Sequence, residues 1–218
     1  MSRVLPILFN TDTVRAILDG RKTVTRRVVK PQLPSSCPEC HVMHNEFIYD
    51  LGAQNVYCAR CGEPLYNGGC PYKAPYQPND ILYVRETWTT KCSNCEYECH
   101  MPCNAPYYIY RADMDEQRDM LKWRPSIHMP KEVARIWLRV TDVRVERLQD
   151  ITPKEALKEG ASCWVKLNGE LDDRSIMTEY ISAWNSTIKK KDLTIYGWDA
   201  NPWVWVIEFE RCEKPEEV

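Results

Sequence analysis

"ARIWLRVTDVRVERL", residues 134–148, has alternating apolar and polar residues along most of its length. Leu138 and Val140 fall on one face of an extended chain, and Val143 resumes the pattern after a shift of phase. Alternation with a period of two predicts a long β-strand with one buried face. The shift of phase predicts a bulge at Thr141–Asp142.

Patterns on both sides of this strand predict a mixed fold. Further strands are expected at residues 4–9, 23–29, 80–88, 107–112 and 201–212, and helices at residues 10–20, 152–160 and 175–188. Asn10 or Thr11 can cap the first helix, and Thr152 with Glu155 forms a capping box at the second. Because there are several strands, few helices and no regular strand–helix alternation, the sequence predicts an α+β protein built on a small mixed β-barrel with short flanking helices.

Length and composition bound the class of protein. The 218 residues suit one domain enlarged by an insertion, and the formal net charge of −2 gives no whole-molecule attraction to nucleic acid. No apolar run of about 18 residues is present, which argues against a transmembrane helix. The start of the chain, "MSRVLPILFN", is interpreted as a strand and not as a signal peptide, so a cytoplasmic protein is expected.

Cysteine spacing predicts a metal site. The eleven cysteines are an odd number in a chain without a secretion signal, which argues against a disulfide framework. Cys37 and Cys40 form one CxxC pair, and Cys58 and Cys61 form another after seventeen intervening residues. This spacing is typical of zinc ribbons, in which four thiolates close a tetrahedral, structural site.

A second cysteine group lies further along the chain. It consists of Cys92, Cys95, Cys99 and Cys103. A second zinc ion is expected there, with His100 or Cys70 as substitute ligands, whereas an iron–sulfur cluster and a loop without metal are the alternatives. Cys163 and Cys212 lie outside both groups and are interpreted as small buried hydrophobic residues. Both groups fall in segments without periodicity, residues 31–78 and 91–106, which are predicted to be insertions in a single domain.

The stretch "GRKTVTRR", residues 20–27, gathers four cations around two threonines. It follows a predicted helix end at Gly20 and begins a predicted strand, where exposed carbonyls favour cations. Taken alone, such a stretch is typical of a solvated basic loop.

Three short motifs make the chain resemble the ASCH family of small PUA-like β-barrels. They are "ILDGRKTVTRR" (17–27), "PNDILYVRE" (78–86) and "WVIEF" (205–209), and the resemblance covers residues 4–30, 78–90 and 134–211. It extends to longer, cysteine-bearing members that are often encoded by phages, which would place the protein in the host cytoplasm. The family implies nucleic acid or nucleosides as the substrate class, since one member is described as a ribonuclease and PUA-fold relatives bind RNA.

One branch of that family, a bacterial N4-acetylcytidine amidohydrolase, uses a lysine, a threonine and a glutamate. The resemblance matches them to Lys22, Thr25 and Glu159, the last on the assumption that the helix after Thr152 has no gap. The minimal enzyme has isoleucine at the position of Arg26, so the chain departs from the pattern there.

A cationic pocket for RNA or a modified nucleoside is therefore expected around Lys22 and Thr25. Its expected ligand-binding residues are Arg21, Arg26, Arg27, Glu86, Trp88, Arg124 and His128. Alternatives stay open for three of these: Glu86 pairs with Arg26 or Arg27, Trp88 packs in the interior, and His128 is a core histidine.

Three functions follow from these observations. The first is hydrolysis of an N4-acylated cytidine or of RNA. The second is a non-catalytic RNA-binding module with structural zinc. The third is a phage protein whose zinc-bearing loops bind a partner protein.

Overall fold

The computed structural model describes residues 2–41, 47–65, 70–91, 107–114, 121–161, 166–167 and 170–216. Its strands are β1 (Val4–Leu8), β2 (Val24–Val28), β3 (Phe47–Asp50), β4 (Asn55–Cys58), β5 (Ile81–Arg85), β6 (Trp88–Lys91), β7 (Tyr107–Tyr110), β8 (Trp137–Arg147), β9 (Lys166–Leu167), β10 (Glu170–Leu171) and β11 (Trp203–Cys212). Its α-helices are α1 (Thr11–Leu18), α2 (Pro153–Lys158), α3 (Asp173–Thr187) and α4 (Leu193–Tyr196). Short 3-10 helices span Arg111–Asp113, Ser126–His128, Lys131–Val133, Leu148–Asp150, Lys190–Asp192 and Trp198–Ala200.

The α+β class predicted from the sequence is confirmed, but the closed barrel is not. Five strands form one sheet in the order β1-β5-β8-β11-β2. β1 pairs only with β5, in parallel, and β2 pairs only with β11, antiparallel, among the described residues. The sheet therefore has two edges. Two backbone groups on the outer edge of β2 are bound by side chains: the Val24 carbonyl by Lys22 and the Arg26 N–H by Glu159.

The chain divides into two compact units. Unit 1 comprises Met1–Gly20, Asp80–Arg139 and Glu210–Val218, and unit 2 comprises Arg21–Asn79 and Val140–Phe209. In unit 1 a buried cluster that includes Trp88, Met129 and Trp137 forms a core. The Asn10 side chain accepts a hydrogen bond from the Thr13 backbone N–H and so caps α1, as predicted.

Unit 2 has its own core, which joins β2, α2, α3 and β11. It includes Val24, Ala156, Ile176, Tyr180 and Val206. Two small antiparallel ribbons, β3–β4 and β9–β10, complete its strands. This core packs the start of β2 against α2.

The predicted change of phase in β8 is present. Leu138 and Val140 are buried, and burial resumes at Val143 and Val145. At the change of phase, neither Thr141 nor Asp142 is buried. Apolar residues therefore stay on the buried face of β8 on both sides of these two residues.

Candidate functional site

The start of β2 caps the end of α2. The predicted stop is confirmed: Gly160 has φ +97°, and the N–H of Ala161 donates to the Ala156 carbonyl at 3.1 Å, as in a Schellman motif. The Lys158 carbonyl, which the helix leaves without a donor, accepts from the backbone N–H of Thr23 at 2.9 Å. Residues that are 135 apart in sequence are thereby held side by side.

Lys22 completes this cap with its side chain. Its Nζ donates to the Glu159 carbonyl at 2.7 Å and to the Val24 carbonyl at 2.8 Å. The Val24 carbonyl lies on the outer edge of β2, because the Thr23 carbonyl accepts from Phe209 of β11 on the inner side. The basic loop that sequence alone could not explain is thus the cap of a helix end and of a strand edge.

The Glu159 carboxylate lies beside the Lys22 ammonium. Glu159 Oε2 is 3.9 Å from Lys22 Nζ, and the two side chains are only 9% and 4% exposed. Burial lowers the pKa of Lys22 to about 8, since desolvation disfavours the ammonium more than Glu159 stabilises it; Arg27 and Arg26 lower the pKa further. Lys22 can therefore exchange a proton near neutral pH.

Arg26 binds the same carboxylate. Its guanidinium NH1 donates to Glu159 Oε1 at 2.7 Å, and its backbone N–H donates to Glu159 Oε2 at 3.2 Å. The guanidinium also reaches Glu146 Oε2 at 3.1 Å and Glu155 Oε2 at 3.6 Å. The Tyr180 hydroxyl lies 3.3 Å from Glu159 Oε1.

Alternation along β2 separates Thr25 from this cluster. Val24 and Arg26 face α2 and α3, whereas Thr25 and Arg27 fall on the opposite face of the strand. Thr25 is buried, and its backbone lies opposite Ile207 of β11. The structure brings together Lys22 and Glu159 of the predicted catalytic set and leaves Thr25 on the other face.

The remaining cations of the basic loop are exposed. Arg21 NH1 lies 3.4 Å from the Gly160 carbonyl, at the same helix end. Arg27 is exposed on the opposite side of β2 from Arg26. Arg21 is therefore an accessible positive charge at the helix end where Lys22 and Glu159 meet.

Glu86 does not pair with Arg26 or Arg27, and that alternative is wrong. Arg135 binds it instead, through Nε to Oε1 at 2.9 Å and NH2 to Oε2 at 3.1 Å. Glu86 is 1% exposed, and burial raises its pKa even though Arg135 opposes the shift. A carboxylate this enclosed belongs to the interior of unit 1 and does not present itself to a ligand.

The other three predicted ligand-binding residues of unit 1 differ in their exposure to solvent. Trp88 is buried, as the packing alternative predicts, with the guanidinium carbon of Arg124 5.1 Å from its ring centroid. Arg124 itself is exposed. His128 is exposed at the end of a 3-10 helix, so its interpretation as a core histidine is wrong.

Four cysteines form a candidate metal centre in unit 2. The ligand atoms of Cys37, Cys40, Cys58 and Cys61 all lie within 4.8 Å of one another, and the closest pairs are 3.7 and 4.0 Å apart. A tetrahedron with Zn–S bonds of about 2.3 Å has sulfurs about 3.8 Å apart, whereas a disulfide requires about 2.05 Å. The four thiols are therefore arranged for a metal ion and not for disulfides.

The second predicted metal group lies outside the described residues, as do His100 and Cys163. Cys70 is described and directs its thiol to the Tyr72 carbonyl at 3.5 Å. Cys212 is half-buried against the core of unit 1, in agreement with its interpretation as a small hydrophobic residue.

Three residues of these clusters escape the sequence analysis: Arg135, Glu146 and Tyr180. Tyr180 is one of the buried residues of α3, but no sequence pattern indicates where its hydroxyl points. Glu146 occupies an outward-facing position in the alternating pattern of β8, where a glutamate attracts no notice. Contacts between segments that are distant in sequence leave no local signature, so the sequence offered no means of finding these three residues.

Comparisons with protein-family models, with curated proteins and with solved structures give no match for this chain. In the part of the chain that the structure describes, each helix is too short or too polar to cross a membrane.

Proposed function

We propose that this protein is an ASCH-like, PUA-related amidohydrolase that removes the acyl group from an N4-acylated cytidine, with Lys22 and Glu159 at its reaction centre. One observation carries the proposal: an ammonium with a pKa of about 8 lies 3.9 Å from a carboxylate in a nearly buried site. General acid–base catalysis is most effective when the pKa of the catalytic group is near the working pH. The resemblance supports the same two residues independently of their geometry.

The contacts of Lys22 suit a neutral amine as well as an ammonium. An ammonium has three N–H donors, whereas a neutral amine has two and a lone pair. The carbonyls of Val24 and Glu159 accept two N–H donors, so both contacts survive loss of the proton. The lone pair that appears then becomes the proton acceptor of the reaction.

The proposed reaction consumes water and releases cytidine and a carboxylic acid. The neutral Lys22 takes a proton from water while the oxygen attacks the acyl carbonyl. The tetrahedral intermediate collapses with cleavage of the C–N4 bond, and the Lys22 ammonium returns the proton to the leaving nitrogen. Glu159 stabilises the ammonium between these two steps.

The nucleophile is water in this proposal because Thr25 lies on the opposite face of β2 from Arg26. The family resemblance instead implies a role for the Thr25 hydroxyl. Thr25→Val keeps the size and β-branching of the side chain and distinguishes the two. Loss of activity as large as that of a Lys22 variant assigns the attack to the hydroxyl, whereas retained activity assigns it to water.

The test is release of cytidine from N4-acetylcytidine at pH 8, measured by chromatography. Lys22→Met and Glu159→Gln should each lower the rate by about 100-fold or more, the range of general acid–base contributions. Lys154→Met and Glu132→Gln are matched controls, since both residues are exposed. Release by Lys22→Met at the wild-type rate would reject the proposal, as would no release by the wild type.

The four-cysteine group is proposed to hold a structural zinc ion. Four thiolates fill a tetrahedral site, so the ion would have no open position for substrate. Tyr49 of β3 packs edge-on against Trp205 of β11 at 4.7 Å, and this contact joins the cysteine-bearing ribbon to the sheet. We expect the four-cysteine group to hold one zinc ion in purified protein, and we expect Cys58→Ser to lose it. Iron at this group, or no metal, would contradict the proposal.

A second candidate function is binding of single-stranded RNA by unit 1. Two arginines lie over tryptophan rings, Arg124 over Trp88 at 5.1 Å and Arg111 over Trp123 at 5.3 Å. The exposed guanidinium of Arg124, and the half-buried pair of Arg111 and Trp123, can stack on unpaired bases and contact phosphates, whereas the Trp88 ring is buried. The surface differs from the Lys22–Glu159 site, so binding and hydrolysis can be separated by mutation.

Binding of a fluorescent twelve-nucleotide RNA at several salt concentrations tests this second function. Arg124→Ala should weaken binding and reduce its salt dependence, whereas Lys214→Ala should not, although Lys214 also lies over a tryptophan of unit 1. Equal effects of the two variants, or no binding, would reject it.

A further inference from the structure

We propose that Arg26 is a positioning residue that fixes the Glu159 carboxylate and regulates the proton on Lys22. The effect of Arg26 on catalysis rests on the function proposed above, but the effect of Arg26 on the protonation of Lys22 is independent of that function.

Arg26 holds the carboxylate at both oxygens. The guanidinium donates to Glu159 Oε1 at 2.7 Å, and the backbone N–H donates to Glu159 Oε2 at 3.2 Å. The side chain of Arg26 has no exposed surface, and Glu146 holds the far side of the guanidinium at 3.1 Å. Since both of these donors belong to Arg26 of β2, the carboxylate cannot rotate toward Lys22 without breaking one of the two hydrogen bonds.

This arrangement weakens the attraction between Glu159 and Lys22. The closer cation to the carboxylate is Arg26, at 2.7 Å, while Lys22 is at 3.9 Å. A carboxylate shared with a nearer arginine stabilises the lysine ammonium less than an unshared one would. Arg26 thereby favours the neutral amine that the reaction requires.

The charges around Lys22 come from four elements. Glu159 at the end of α2 raises its pKa, and Arg26 and Arg27 of β2 lower it, after the larger effect of burial. Glu155 of α2 and Glu146 of β8 face Arg26. Tyr180 of α3 faces Glu159, and burial raises its pKa, so it remains a neutral donor to the carboxylate.

The proton on Lys22 can be followed without any substrate. Protein labelled with ¹³C at lysine Cε is titrated by NMR, and the Lys22 signal is assigned by its absence in Lys22→Arg. We expect a midpoint of about 8 in the wild type. Arg26→Gln should move the midpoint upward toward the ordinary lysine value, and Arg26→Lys, which keeps the charge, should move it less.

Glu146→Gln is a second variant that leaves Arg26, Glu159 and Lys22 in place. It removes an anion that faces Arg26, so it should not raise the Lys22 midpoint. This variant keeps the inference testable if Arg26→Gln does not fold. A rise in Glu146→Gln, or an unchanged midpoint in folded Arg26→Gln, would overturn the inference.

The outcomes separate this inference from the proposed function. If the titrations behave as expected but no protein releases cytidine, the proposed function fails and the role of Arg26 stands. If the wild type hydrolyses the substrate and Arg26→Gln has an unchanged Lys22 midpoint and pH–rate profile, the function stands and the inference fails.

Discussion

Each unit of this protein buries a glutamate against an arginine, yet the two carboxylates have different surroundings. In unit 1, Arg135 donates hydrogen bonds to both carboxylate oxygens of Glu86, and its guanidinium also binds Asp113. In unit 2, Glu159 is gripped by Arg26 and also faces Lys22. Arginine keeps its proton at every working pH, whereas a buried lysine can lose it.

This difference separates a structural ion pair from a candidate reaction centre. The described partner of Glu86 is Arg135, whose pKa is raised further by its carboxylate partners in spite of burial. The cluster around Glu159 contains Lys22, with a pKa of about 8. A buried carboxylate–arginine pair therefore does not indicate function by itself, and the titratable partner is what distinguishes the two clusters.

The largest expected effect is on stability, from Arg135→Met. Removing one partner of a buried ion pair leaves an uncompensated charge, which costs about 3–5 kcal/mol of unfolding free energy. Arg26→Met should cost less, because Glu159 keeps a backbone N–H, the Tyr180 hydroxyl and Lys22. Urea unfolding measures both variants, and a larger loss in Arg26→Met would reverse the comparison.

The next effect is the pH dependence that Lys22 gives to stability. Its folded pKa of about 8 lies below the ordinary value of 10.5, so between these values the unfolded chain binds more protons than the folded protein. The unfolding free energy of the wild type should therefore rise with pH in this window relative to Lys22→Met, by up to about 3 kcal/mol. If the difference in unfolding free energy between the wild type and Lys22→Met stays constant from pH 7 to 10.5, Lys22 titrates like an ordinary surface lysine and the prediction is wrong.

A smaller effect is expected from the hydroxyl of Tyr180. Tyr180→Phe removes a hydrogen bond to Glu159 and keeps the ring, which should cost about 1 kcal/mol. Tyr110→Phe is the match in unit 1, where the lost acceptor is the Val133 carbonyl at 2.7 Å. Thermal unfolding compares them, and only Tyr180→Phe should also change cytidine release; equal effects on release would contradict the distinction between the clusters.

The smallest effect is expected from an exposed ion pair. Arg139 NH1 lies 3.3 Å from Glu210 Oε1, and the two side chains are 50% and 55% exposed. Solvent screens such pairs, so Arg139→Ala should change the unfolding free energy by no more than about 0.5 kcal/mol. A change comparable with that of Arg135→Met would mean that burial does not decide the strength of these pairs.

Local patterns predicted most secondary structure. The Asn10 cap, the Thr152–Glu155 capping box, the stop at Gly160 and the change of phase in β8 all depend on near neighbours in sequence. Closure of the sheet is a long-range property, and the prediction of a barrel failed there. Alternation fixes which face of a strand is buried but not which strand lies beside it.

The candidate site was predictable in the same uneven way. Spacing alone brought the four cysteines of residues 37–61 together, because each CxxC turn directs two sulfurs to one point. The Lys22–Glu159 contact was expected only through a family resemblance. Arg135 as the partner of Glu86 was missed, since nothing in "KEVARIW" distinguishes one arginine from the others available.

Catalysis by Lys22 is decided by the pH dependence of cytidine release from N4-acetylcytidine, measured for the wild type and for Lys22→Met. The wild-type rate should rise with pH to a midpoint near 8, and the variant should show no comparable release. A rate that does not change with pH across this midpoint, or release that persists in Lys22→Met, would rule out a catalytic role for Lys22.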